Sequence, residues 1–165
     1  MVKFCGLCGN FQKAVKMMIW LISQVWAEPQ VQDGQSQETL VEPFPLQRIA
    51  IAALNITVEV ADEPHERHLG LMYRKEMPKD HGMIFVYPDE KIRNFWMKNT
   101  YIPLSIAYLD AEGIVLHLAD MTPLNLDPVS SIYPAQYALE MNRGWFSQHQ
   151  VTIGTQIDVS DLKLN

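Results

Sequence analysis

The sequence predicts a mainly β domain, a compact antiparallel β-barrel or sandwich with one short α-helix, on three observations. Leu54, Ile56, Val58 and Val60 alternate with Asn55, Thr57 and Glu59, the period of a half-buried strand, and three of the four apolar positions are β-branched. Short apolar runs recur along the chain with turn-forming residues between them, as in a sandwich or barrel. The 165 residues, 48% hydrophobic and 19% charged, suffice for one domain and exclude a large multidomain enzyme.

In chain order, Met17 to Ala27 is a mostly apolar run preceded by Lys13 and Lys16 and closed by Val25-x-Ala27, the pattern of a signal peptide over residues 1–27. The run is about half as long as a bilayer-spanning helix, so no stable membrane insertion is expected after cleavage. The expected location is the periplasm or the exterior. Cys5 and Cys8 form a C-G-L-C spacing inside this segment, and no cysteine follows it, so disulfides and thiolate chemistry leave with it. Residues 28–47 place Pro29, Pro43 and Pro45 among Gln30, Gln32, Gln35 and Gln37, the composition of a flexible linker. A single β-rich domain is then expected over 48–165.

Within the domain, strands are expected at Leu54–Val60, Gly82–Tyr87, Lys91–Met97, Leu104–Leu109, Ile114–Met121, Gln136–Met141 and Thr155–Val159. Asp110-Ala111-Glu112-Gly113 should close one hairpin and Tyr87-Pro88-Asp89-Glu90 another. The helix should be capped by Asp62, carry Pro64 in its first turn, place Leu69, Met72 and Tyr73 on one face and end before Pro78.

The formal net charge is -6, and removing residues 1–27 would take away Lys3, Lys13 and Lys16 with no acid. That balance argues against nucleic acid, because phosphate binding needs clustered Lys and Arg. G-x-S-x-G, Walker-type and G-x-G-x-x-G motifs are all absent from the sequence, which removes common enzyme classes.

The densest unusual stretch is Phe95-Trp96-Met97-Lys98-Asn99-Thr100. Strand alternation sends Phe95 and Met97 one way and Trp96 and Lys98 the other, so Trp96, Lys98, Asn99 and Thr100 form either a ligand platform or a turn before Pro103. Glu140 lies in the apolar run Tyr137 to Met141, on the face opposite Leu139 and Met141. Turned inward, it must be neutral or paired, with Arg74, Lys98 and Arg143 as candidate partners, and it is the candidate general acid or base. His65 and His68 could share a helix face, but two histidines fall short of a zinc site. Met83, Met97 and His81 are weak candidates for Cu(I), against ordinary core packing by methionine. The sequence points to no cofactor.

Gly70-Leu71-Met72-x-Arg74, Gly82-Met83-x-Phe85, Phe95-Trp96-Met97-x-Asn99-Thr100-x-Ile102-Pro103-Leu104 and Leu139-Glu140 followed by Gly144 together resemble the domain of unknown function 192 family, over roughly Ala53 to Val159. The resemblance implies a compact, mainly β domain with one short helix, often behind an export signal, and no established activity. One position departs from the family pattern: Ser105 stands where an acidic residue usually follows the Pro-Leu pair.

The leading expectation is an exported binding or accessory module with a ligand or partner surface around Arg74, Trp96, Lys98, Asn99, Thr100 and Glu140. Its partner would be a small molecule or an envelope protein. The alternatives are a small hydrolase or transferase using Glu140 on an envelope substrate, and copper handling through Met83, Met97 and His81.

Overall fold

The computed structural model describes residues 44–51 and 53–164, so the signal segment, its two cysteines and most of the linker lie outside the described residues. The elements are β1 (Leu46–Ile51), β2 (Leu54–Ala61), α1 (Pro64–Leu69), β3 (His81–Lys91), β4 (Asn94–Phe95), β5 (Leu104–Leu109), β6 (Val115–Met121), β7 (Val129–Ser130), β8 (Ala135–Asn142) and α2 (Trp145–Gln148). Six strands form one sheet in the order β1-β2-β3-β8-β5-β6, and β4 pairs with β7 apart from it. The sheet is not closed into a barrel.

Neighbouring strands run antiparallel except β2 and β3, which are parallel and joined through α1. A parallel pair needs such a crossover, since a tight turn can only reverse the chain. The crossover helix is shorter than its periodicity predicts. Its cap is Glu63, not Asp62, and the Glu66 carboxylate accepts the amides of Asp62 and Glu63, each at 3.0 Å. Gly70, at φ 48°, ends the helix by donating its N–H to the Glu66 carbonyl at 2.8 Å, so Met72 and Tyr73 lie beyond it.

Alternation along the strands feeds two clusters, one on each side of the sheet. Ile56, Val58, Val60, Ile84, Ala107, Leu139 and Met141 pack beneath Trp145, Phe146 and Val151. Met83, Phe85, Ile106, Tyr108 and Ala138 face Leu71, Phe95, Met97 and Ile102 on the other side. Burying both faces explains why β8 and β5 read as continuous apolar runs rather than as alternating strands.

The Asp110–Gly113 hairpin joins β5 to β6 as expected, with Gly113 at φ 82° and its amide on the Asp110 carbonyl at 3.1 Å. The second expected hairpin does not exist. β3 continues through Tyr87–Glu90, and its register against β8 slips between Val86 and Lys91, where the missing N–H of Pro88 costs no ladder bond. The strand expected at Lys91–Met97 is accordingly the end of β3 plus the two-residue β4. Thr155–Val159 contributes only isolated bridges, Ile114 to Gln156 and Ile51 to Ile157. The domain also begins earlier than residue 48, because Phe44 is buried and β1 starts at Leu46, pairing from Glu59 to Leu54.

Gly82 shows how closely β3 and β8 approach. A Cβ there would run into the Met141 sulfur and the Glu140 carbonyl, and the carbonyl, as backbone, has no rotamer to escape with. Gly82→Ala is therefore expected to destabilise the domain by about 1–3 kcal/mol in urea unfolding, through overpacking rather than lost contacts.

Candidate functional site

Glu140 lies in the middle of β8, directly opposite Met83 of β3 and Ile106 of β5. It shares the face of Ala138 and is 4% exposed among Met83, Phe85, Ile106 and Tyr108. None of the three expected cations reaches it. Arg74 makes a two-pronged ion pair with Glu59, Arg143 lies 3.4 Å from Asp120, and Lys98 sits 5.2 Å from the centre of the Trp96 ring. Among the described residues the Glu140 carboxyl has no hydrogen-bond or ion-pair partner. Burial pushes its pKa up to about 8, so the group is mostly the neutral acid at pH 7.

The groups around it carry the same signature. Burial also raises Tyr108 and Tyr87, with the charge of Glu140 adding to both and Arg93 and Arg67 opposing the rise at Tyr87. Tyr108 donates its hydroxyl to the Val129 carbonyl at 2.6 Å, and Arg93 stacks 3.8 Å above the Tyr87 ring. Neither competes for the carboxyl.

Glu140 forms part of the lining of a cleft of about 40 Å³, together with Gly70, Leu71, Phe95, Trp96 and Thr100. That space holds two or three waters, or one functional group of a ligand, at roughly 15 Å³ per position. Arg67 also borders it, but donates to the carbonyls of Asp62 and Val86.

The segments after α1 and after β4 line this cleft, and a third loop, 122–126, is bonded to the second of them. The Tyr73 amide donates to the Asn99 carbonyl at 2.7 Å, and the Asn99 side-chain amide donates to the Tyr73 hydroxyl at 2.9 Å. The Leu124 amide reaches the Thr100 carbonyl at 3.2 Å, and the Met97 amide reaches the Asn125 carbonyl at 2.8 Å. Each loop holds a residue in left-handed backbone: Tyr73 at φ 65°, Asn99 at 54° and Leu124 at 62°. Asn tolerates that region, whereas Tyr and Leu do so at a cost of about 1–3 kcal/mol each. Large apolar side chains of these segments are exposed: Trp96 is 45% exposed and Tyr73 60%, with Tyr101, Leu124 and Leu126 also out in solvent. A second groove of about 150 Å³ runs between Trp96, Leu126 and Pro128.

The structure thus brings Trp96, Thr100 and Glu140 to one cleft, with Lys98 against the Trp96 ring and Asn99 locking the loops. It places Arg74 on Glu59 instead. Asn99 and Thr100 do make a turn, with the Thr100 amide on the Met97 carbonyl at 3.1 Å, and that turn is also the platform's scaffold. Met83 and Met97 are packed in the core cluster and His81 begins β3; among the described residues no group of three or more His, Cys, Asp or Glu could hold a metal. Sequence reasoning missed Tyr73, Tyr101, Leu124 and Leu126. The signal for the last two is Pro123-Leu124-Asn125-Leu126-Asp127-Pro128, a proline-bounded loop carrying two leucines that no strand requires.

Ser105, the departure from the family pattern, is buried on the opposite face of β5. Its hydroxyl accepts the Gly144 amide at 2.8 Å and donates to Asp120 at 2.5 Å. A serine thus satisfies the turn into α2 without placing a second carboxylate beside Asp120.

The family model for DUF192, described as Uncharacterized ACR, matches residues 47–159. Among solved structures, one similar chain comes from Sinorhizobium meliloti 1021 and is described as a candidate transcription regulator. It has 31% identity and a TM-score of 0.67, over 70% of this chain and 95% of that one. Another, a protein of unknown function from Novosphingobium aromaticivorans DSM 12444, has 26% identity and a TM-score of 0.67, over 72% and 89%. No curated protein matches the chain.

Two outcomes follow from this geometry. A glutamate held near pKa 8 when folded and near 4.5 when unfolded binds more protons in the native state between those values, so its contribution to stability is full below about pH 4.5 and lost as pH rises toward 8. Glu140→Gln is expected to remove that loss, on the order of a few kcal/mol, when urea unfolding is compared at pH 5 and pH 8. Ser105→Ala leaves the Gly144 amide without its acceptor and is expected to cost about 1–3 kcal/mol in the same measurement.

Proposed function

The chain belongs to the DUF192 family, and on that footing we propose that it is an exported binding module. Its ligand lies against Trp96 and passes one small neutral polar group into the cleft above Glu140. The observation that carries this reading is a buried carboxyl with no internal partner, lining a cleft that Trp96 helps to form at the surface. A protonated acid both donates and accepts, so it suits a hydroxyl or an amide. The half-exposed indole supplies an apolar face that orients what enters. A neutral, hydroxyl-bearing ligand such as a saccharide unit fits these features. The strain in the surrounding loops fits a preformed platform, because it holds the rings before the ligand arrives.

A second reading, hydrolysis or transfer on an envelope substrate, has one observation in its favour. A carboxyl with a pKa of about 8 remains protonated near neutral pH, as a general acid must. Against it, about 40 Å³ is far below the roughly 300–1,000 Å³ of a substrate pocket. Transcription regulation, the role in the description of the Sinorhizobium protein, is not part of the proposal, and nothing in the charge distribution favours binding to nucleic acid. Arg74, Arg93 and Arg143 are each paired with an acid, and the chain is acidic overall. Export rests on the Met17–Ala27 run and on the lysines before it.

The test is an NMR titration that follows the Trp96 indole N–H as neutral oligosaccharides, first di-N-acetylchitobiose and maltotriose, are added. Shifts confined to Trp96 and the three loops, weakened at least tenfold by Glu140→Gln and abolished by Trp96→Ala, are the expected result. An unmoved indole across the sugars would overturn the ligand assignment. Export is checked on the same protein in its host, where the mature chain should begin at Glu28; retention of residues 1–27 in a cytoplasmic protein would overturn that part.

A further inference from the structure

The two edges of the six-stranded sheet are treated differently. At the β1 edge the C-terminal segment covers the strand: the Asp158 amide donates to the Ala50 carbonyl at 2.9 Å, and the Lys163 amide donates to the Gln47 side chain at 2.8 Å. At the β6 edge, among the described residues, only Val115 has outer main-chain partners, Thr155 and Gly154. From Leu116 to Met121, among the described residues, β6 pairs with β5 alone. Natural edges are commonly blunted by lysine, proline or a bulge. Leu116-His117-Leu118-Ala119-Asp120-Met121 has neither lysine nor proline, Asp120 is its one carboxylate, and the one register shift against β5 lies at Leu116, so the edge from His117 to Met121 is regular.

A cleft of about 330 Å³ runs along this edge, lined among others by Leu118, Asp120, Phe146, Ser147, Val151 and Thr152. Leu118 and Asp120 stand opposite Ala107 and Ser105, on the sheet face covered by Trp145, Phe146 and Val151. This is the face opposite Glu140. The covering layer leaves the cleft open beside β6, so a strand added to that edge would send every second side chain into it.

We propose that β6 is a docking edge for an extended peptide segment of a partner protein, one with an apolar residue and a basic residue two positions apart. Main-chain hydrogen bonds to the free edge hold the segment, and the alternate side chains give it specificity. The apolar residue enters the cleft against Leu118, Phe146 and Val151. The basic residue meets the exposed side of Asp120, whose side chain is 53% exposed, joining the Ser105 hydroxyl at 2.5 Å and Arg143 Nε at 3.4 Å around the same carboxylate. This proposal is independent of the ligand reading at Trp96, since the two surfaces lie on opposite faces of the sheet.

The experiment titrates the ¹⁵N-labelled protein with a capped seven-residue peptide of alternating threonines carrying leucine and lysine two positions apart. Amide shifts and slowed hydrogen exchange are expected along 116–121 and 146–152, saturating in the submillimolar range. Replacing the peptide's leucine with serine should weaken binding at least tenfold, and replacing its lysine with glutamate several-fold. Thr152→Trp, at an exposed position, should fill the cleft and weaken binding at least tenfold with an unchanged circular dichroism spectrum. Trp96→Ala should leave binding unchanged. The proposal is overturned by no shift at several millimolar peptide, by equal binding of the serine control, by shifts centred on the Trp96 loops, or by a concentration-dependent dimer through β6, which would assign the edge to a second copy of the chain.

Discussion

The position of β8 between β3 and β5 is the constraint on which the rest depends. Because both of its edges are paired and both faces of the sheet are covered, every side chain from Ala138 to Met141 is buried, whatever its polarity. One of those side chains is a glutamate. A buried carboxylate without a partner is far more expensive than a buried carboxylic acid, so the fold holds Glu140 as the acid. The tight approach of Gly82 keeps β3 against β8 at this point, and the neighbouring Met83, Phe85 and Tyr108 pack around the carboxyl, leaving it the small cleft and the few waters that fit there.

The loops over that face take their form from the bonds between them. Tyr73, Asn99 and Leu124 adopt unfavourable backbone, and the bonds between their loops compensate by fixing one loop against the next. What results is apolar surface left in solvent while the interior beneath is well packed. Isolated exposed side chains need no explanation, but several gathered on linked loops near a buried acid without a partner among the described residues do.

Much of the framework is legible in the sequence because it rests on local pattern. The alternation through Leu54–Val60 selects the inner face of β2, and Asp110–Gly113 specifies a turn by chemistry that four residues carry alone. The misreadings arise where a long-range partner overrides a local signal. Pro88 marks a turn in isolation, yet in the fold it occupies the one stretch of β3 whose ladder is already interrupted. Pro45 and Gln47 have linker composition, but β2 offers them an edge, and Phe44 has a core to enter. For the site, the alternation through Phe95–Lys98 gives the faces correctly. The pairing of Glu140 is not legible, because it depends on which carboxylates claim the cations first: Glu59 takes Arg74, and Asp120 lies against Arg143. Nor does the sequence show that residues 73, 99 and 124 meet, since only the fold brings three separated loops together.

Glu140 as a neutral acid at the cleft beneath Trp96 is read out by a pH titration of its side-chain carboxyl ¹³C resonance in the intact protein. The expected midpoint is near 8, well above the ordinary glutamate value of 4.5, with the Trp96 indole N–H reporting the same transition. A midpoint near 4.5 would overturn that assignment, because a carboxyl that ionises so easily must be stabilised by more water or charge than the small cleft provides.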